Sequence, residues 1–175
     1  MTDPYLQYYR DGIDALTWYS DAHAAILAAA PRLSVRPEYL AGLLAAFSPR
    51  TSVRRSCIWA VHHARTSTFL HDTPISVRKH VQTFIDTGRV TGPKTGPFWL
   101  ALLGSPDAVV IDTHMLRAAT YSIQPTPAQF QDCIDRVRRV ARHRCTPAAA
   151  QAAIWTGYLR SIGRHPRPFP LLEIL

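Results

Sequence analysis

Two side chains in this sequence are suited to covalent chemistry by type and spacing: an amine, Lys94, and a carboxylate, Asp112, eighteen positions further on. Both lie in the stretch Gly92 to Arg117, GPKTGPFWLALLGSPDAVVIDTHMLR. Lys94 is one of only two lysines among 20 basic residues, which sets it apart from an arginine-rich background. A deprotonated amine attacks an electrophilic carbon and forms a Schiff base. Arginine cannot replace it, because its guanidinium keeps its proton in a protein. A lysine at a helix start also lies where the helix dipole disfavours an ammonium. Simpler roles are open to both residues: Lys94 can bind a phosphate, and Asp112 can N-cap the helix that follows it.

The elements around them decide whether the two can meet. The sequence predicts a helix over 95–103, climbing about 13 Å away from Lys94 at roughly 1.5 Å per residue. The return segment, 104–111, spans about 26 Å if fully extended. It is long enough to cross back over the helix and set Asp112 beside Lys94.

Helical periodicity runs through the rest of the chain, and no strand is required. Residues 4–30 read as a helix broken near Gly12, with Ile13, Leu16, Ala24 and Leu27 as a partial apolar stripe and Pro31 at its end. Tyr8, Tyr9, Trp18 and Tyr19 fit either a base pocket or a core. Pro37 opens a helix to Phe47, and Ser48, Pro49, Arg50 and Thr51 form a short break. Thr51 or Ser52 caps the next helix, to about residue 64. His62, His63 and His71 cluster in sequence, but adjacent histidines on a helix point to different faces, which argues against a metal site. Pro74 introduces a helix to about residue 87, with Val77, Val81, Phe84 and Ile85 inward. Further helices are predicted over 113–123, from 126 or 127 to 144, and over 148–162, the last built around Ala152, Trp155 and Leu159. Arg136, Arg138, Arg139, Arg142, His143 and Arg144 make a positive strip, either a solvated face or a phosphate rail.

Composition limits the class. With 175 residues, the chain can form one domain with a proper core, or two small lobes sharing a seam. Hydrophobic content of 47% against 18% charged residues argues for a folded protein rather than disorder. A formal charge of +8 points to a polyanionic partner, with nucleic acid the first candidate, although Arg- and Ala-rich composition also follows from a GC-rich genome. Cys57, Cys133 and Cys145 have no C-x-x-C spacing, so the sequence indicates neither a disulfide framework nor a zinc site, and a reducing cytoplasm is the expected setting. No apolar run reaches the roughly 18 residues of a spanning helix, and no signal-peptide layout is present.

The central stretch resembles the helix-hairpin-helix (HhH-GPD) DNA glycosylase superfamily, of the endonuclease III type. The family pattern is a hairpin ending G-x-K-T-[AG], an apolar helix, a G-x-P turn and V-D-T-H-[hydrophobic]-x-R. Gly92, Lys94, Thr95 and Gly96 match its first part, and Gly104, Pro106, Asp112, Thr113, His114 and Arg117 match its second. The family's hairpin usually reads L-P-G-V-G, where this chain has Gly88, Arg89, Val90, Thr91 and Gly92. The resemblance covers about residues 36–168, and the four cysteines of the family's iron–sulfur cluster are absent.

That resemblance implies an all-α, two-lobed fold. Lobe A covers about 36–111 with the hairpin at 88–96, and lobe B packs the N-terminal helix 4–30 with 112–165. It implies excision of a damaged or modified base from double-stranded DNA, with AP-lyase activity, by a monomer without a cofactor. Lys94 would be the nucleophile and Asp112 the carboxylate that stabilises positive charge on the deoxyribose. Gly92, Thr95 and Gly96 would hold a phosphate at the helix start. Pro49, Arg50 and Thr51 would probe the duplex where the base is flipped out, and Arg117 would contact DNA. The setting would be bacterial or phage-encoded, cytoplasmic and nucleoid-associated. Two alternatives share the letters. One is a phage-type transferase acting on modified thymine, like the alpha-glutamyl/putrescinyl thymine pyrophosphorylases. The other is a non-catalytic DNA-binding module.

Overall fold

Pro37 starts the most deeply buried helix of the molecule, because its fixed φ and missing N–H suit the first helical position. The sequence that follows, EYLAGLLAA, is apolar on nearly every face, and Leu40 through Ala46 are all buried. A helix apolar all round is a buried one. The structure, a computed structural model, describes residues 3–175. It is all-helical, with no strand among the described residues. The chain divides into two units, Met1–Tyr19 with Ser105–Pro168, and Ser20–Gly104 with Phe169–Leu175.

The second unit is built around that central helix, α3 (Pro37–Ala46). It packs against α4 (Val53–Thr66), α5 (Ile75–Thr87) and α6 (Thr95–Leu102). The α3–α5 approach is very close at Gly42, where an added Cβ would lie 2.0 Å from the Phe84 ring. Most of α2 (Trp18–Arg32) also belongs to this unit, and its His23 Nδ1 lies 2.9 Å from Leu102 O at the end of α6. A short α10 (Leu171–Ile174) lies along α4 with Leu171 fully buried.

The first unit holds α1 (Pro4–Asp11), a 3₁₀ turn (Ile13–Ala15), α7 (Thr113–Ala118), α8 (Pro127–Ala141) and α9 (Pro147–Ser161). Its core contains Tyr5, Val109, Ile111, Met115, Val137 and Ile154. Tyr5 Oη donates to Met115 O at 2.8 Å. Helices α1 and α9 cross at small residues. A Cβ on Gly157 would sit 2.0 Å from Tyr8 O, and one on Gly12 would sit 2.1 Å from Ala153 O. Thr126 and Gln129 form a reciprocal capping box at the start of α8.

Several expectations are corrected. The break expected at Gly12 is present, with a 3₁₀ turn between α1 and α2, but Pro31 lies inside α2 rather than ending it. Ser34, with φ 55°, takes the left-handed position beyond it. Ile13, Ala24 and Leu27 are exposed, and Ala22, Ala25, Ile26, Ala29 and Ala30 form the buried face instead. Ile85, expected inward, is 37% exposed. The helix from Thr113 ends at Ala118, not 123, because Thr120 adopts φ 64° and Tyr121 N–H returns to Leu116 O at 2.9 Å. That is a Schellman ending with threonine where glycine is usual. Helix α8 stops at Ala141 rather than 144, where Arg142 turns extended and His143 takes φ 61°.

Candidate functional site

In the second unit the hairpin is shaped by two glycines. Gly88, at φ 68°, closes α5 by donating its N–H to Phe84 O. Gly92, at φ 117°, occupies a backbone region that L side chains avoid, and a Cβ there would meet Thr95 Oγ1 at 2.7 Å. Thr95 is buried and donates its hydroxyl to Thr91 O, while Gly96 N–H donates to Gly92 O at 3.1 Å. The Gly96 amide is therefore engaged within the turn.

Lys94 holds the N-cap position of α6 and caps it with backbone alone. Its half-buried side chain donates from Nζ to Ser48 O at 3.2 Å. Ser48 begins the break between α3 and α4, so the lysine and the 48–51 loop form one local arrangement. Pro49 and Thr51 are half-buried, whereas Arg50 is exposed and adopts φ 54°. A non-glycine residue in that region is uncommon, and Ser34, Ser67, Thr120 and His143 share it in this chain. Ser52, not Thr51, caps α4, accepting from Arg55 N at 3.2 Å. The Ser48 hydroxyl is buried with no hydrogen-bond partner.

In the first unit Asp112 N-caps α7. Its Oδ1 accepts from His114 N and Met115 N, both at 2.9 Å, and its Oδ2 accepts from Trp155 Nε1 at 3.1 Å. Three N–H donors thus fix a half-buried carboxylate. Trp155 leads into an aromatic group. Its ring lies 6.5 Å from His114 and 6.5 Å from Trp18, and His114 lies 6.1 Å from Tyr158. Tyr8 meets Tyr158 edge-on at 5.5 Å. Tyr19 Oη donates to Gln151 Oε1 at 2.7 Å, and burial, with a smaller contribution from the negative field of Asp112, pushes its hydroxyl above the ordinary phenol range. Tyr9 is core, with its hydroxyl 3.8 Å from Cys145 Sγ. Arg117 is exposed in the last turn of α7.

Lys94, Gly92, Thr95 and Gly96 are brought together with the loop of Pro49, Arg50 and Thr51, and Asp112 and Arg117 share α7. Sequence reasoning missed Trp155 as the partner of Asp112 and Ser48 as the acceptor for Lys94. Trp155 stands 43 positions from Asp112, a separation that carries no periodic signal. Its indole N–H in an otherwise alanine-rich helix was the one available hint, since a buried indole needs an acceptor. Among the described residues, no group of three or more His, Cys, Asp or Glu is placed to hold a metal ion, and no helix is long and apolar enough to cross a membrane.

Fold and geometry together define an all-helical chain with two polar centres, one on a lysine at a helix start and one on a capping aspartate. Residues 9–161 match DUF7178, a family of unknown function, and the chain belongs to that family. No curated protein and no solved structure matches it.

Proposed function

We propose that this protein is a DNA base-excision glycosylase of the helix-hairpin-helix (HhH-GPD) kind, with AP-lyase activity and without an iron–sulfur cluster. The observation that carries the reading is Lys94. It is one of two lysines in the chain, follows a glycine turn at a helix start, and has its amine held 3.2 Å from a carbonyl of the 48–51 loop. A nucleophile beside a loop that probes the duplex is what base excision requires, because the base must leave the stack before its bond can be attacked.

In this reading the neutral Lys94 amine attacks C1′ of the deoxyribose, and the C1′–N bond breaks with its electron pair leaving on the base. The ammonium so formed passes one proton to the departing base, and the ring oxygen takes up a proton from solvent as the ring opens to a protonated Schiff base. Loss of the C2′ proton then expels the 3′ phosphate by β-elimination. The Asp112 carboxylate stabilises the positive charge that develops on the sugar. The start of α6 would contact a phosphate without the Gly96 amide, which is bonded to Gly92 O, and Arg50 serves as the wedge.

One observation favours a second reading. Asp112 already has three donors and caps α7, which is sufficient reason for an aspartate there in a DNA-binding module without chemistry. A base-release screen separates the two readings. Duplexes carrying uracil, oxidised pyrimidines, alkylated purines or phage-type modified bases are incubated with wild type, Lys94→Gln and Asp112→Asn. Release from one class of duplex, lost in the variants, supports the glycosylase. Binding without release supports the module, and pyrophosphate release from an activated base would indicate a transferase.

A further inference from the structure

Helix α8 ends beside a cleft of about 490 Å³ lined by Asp135, Arg138, Arg139, Arg142, His143 and Pro147, among others. Three arginines face one carboxylate there, and Gln131 Nε2 donates to that carboxylate at 3.0 Å. Arg139 reaches only the outer limit of an ion pair, 4.0 Å from Asp132. Arg138 and Arg142 have no carboxylate within 4.0 Å among the described residues.

Cations at a helix C-terminus ordinarily serve its open carbonyls, but here that role belongs to another residue. Arg144 Nη1 donates to Val140 O at 3.0 Å and approaches Arg142 O at 3.5 Å. The guanidiniums of Arg138 and Arg142 are thus left for an external anion. They stand one turn apart on one helix face, about 6 Å along the axis, close to twice the roughly 3.4 Å axial spacing of phosphates on one DNA strand. His143, in the left-handed region at φ 61°, lies between α8 and α9 and lines the cleft.

We infer that this cleft is a nucleic-acid backbone site, in which Arg138 and Arg142 hold two phosphodiesters of one strand without reading sequence. Guanidiniums suit this role because their planar fork pairs with two phosphate oxygens at once. The inference rests on the DNA-binding half of the reading above and not on its chemistry.

The test is a salt titration of binding to a short mixed-sequence duplex, between about 50 and 200 mM salt. Arg138→Ala/Arg142→Ala is compared with Arg10→Ala/Arg32→Ala, which removes the same two charges elsewhere. The slope of log K against log salt should become shallower by about 1.8, at roughly 0.9 per phosphate contact. The control pair should keep the wild-type slope. An unchanged slope, an equal change in both pairs, or preference for anionic vesicles over duplex overturns the inference. Borohydride trapping on abasic duplex, run with the same proteins, keeps the two questions apart. A shallower slope without any trapping leaves this site standing and removes the lyase reading. Trapping with an unchanged slope does the reverse.

Discussion

Asp112 performs a structural task whatever else it does, so its variants must separate charge from capping. Asp112→Ala leaves His114 N–H, Met115 N–H and the Trp155 indole without their acceptor. Loss of an N-cap alone costs about 1 kcal/mol, so a lowered melting temperature is expected. Asp112→Asn keeps an oxygen for the cap and removes the charge. With its oxygen on the cap, Asn turns an amide NH₂ towards the Trp155 indole, so melting should fall, though less than in Asp112→Ala, while base release drops by about tenfold or more in single-turnover assays. Equal activity in Asn and wild type would reduce Asp112 to a cap. His63 gives a second residue-level test, independent of function. It is buried against Phe47 and Phe69, and its Nδ1 has no hydrogen-bond partner. Burial, with a smaller contribution from His62, holds its pKa below the usual histidine range. On acidification the unfolded chain takes up this proton first. The stability linked to His63 is therefore complete above about pH 6.5 and declines as pH falls through that value towards the folded pKa. Urea midpoints at pH 7.5 and 5.5 should differ less in His63→Phe than in wild type. An unchanged difference would show that another group controls this window.

At the scale of elements, glycine sets two helix crossings. Gly42 admits the Phe84 ring onto α3, and Gly157 admits the Tyr8 backbone onto α9. Overpacking a fitted contact costs about 1–3 kcal/mol. Gly42→Ala should lie at the upper end because a rigid ring must move, and Gly157→Ala should do likewise because backbone must. Denaturant midpoints check both, and wild-type midpoints would mean that the helices separate without cost. The elements themselves could be read where punctuation was strong. Pro37, Ser52, Thr126 and Thr146 each begin a helix, and each supplies either the φ or the oxygen that a helix start needs. Ends were harder to read. Ser34, Thr120 and His143 take left-handed conformations with side chains that give no local sign of it, so predicted helices ran on too far or stopped early. The buried face of α2 was also hidden, because alanines form most of it, with Ile26, while Leu27 faces outward.

For the whole molecule, Lys94 and Asp112 could be singled out as candidate residues from type and spacing, whereas the groups each of them touches could not. Ser48 and Trp155 stand 46 and 43 positions from the groups they touch, and contacts of that range follow from folding rather than from local pattern. What the chain does depends on whether Lys94 forms a covalent bond with DNA. The most direct measurement is borohydride trapping on a duplex with a single abasic site, resolved on a denaturing gel. Wild type and Lys79→Gln should each give a cross-linked band, and Lys94→Gln should give none. Absence of the band in wild type, or its persistence in Lys94→Gln, would contradict the assignment of Lys94 as the nucleophile.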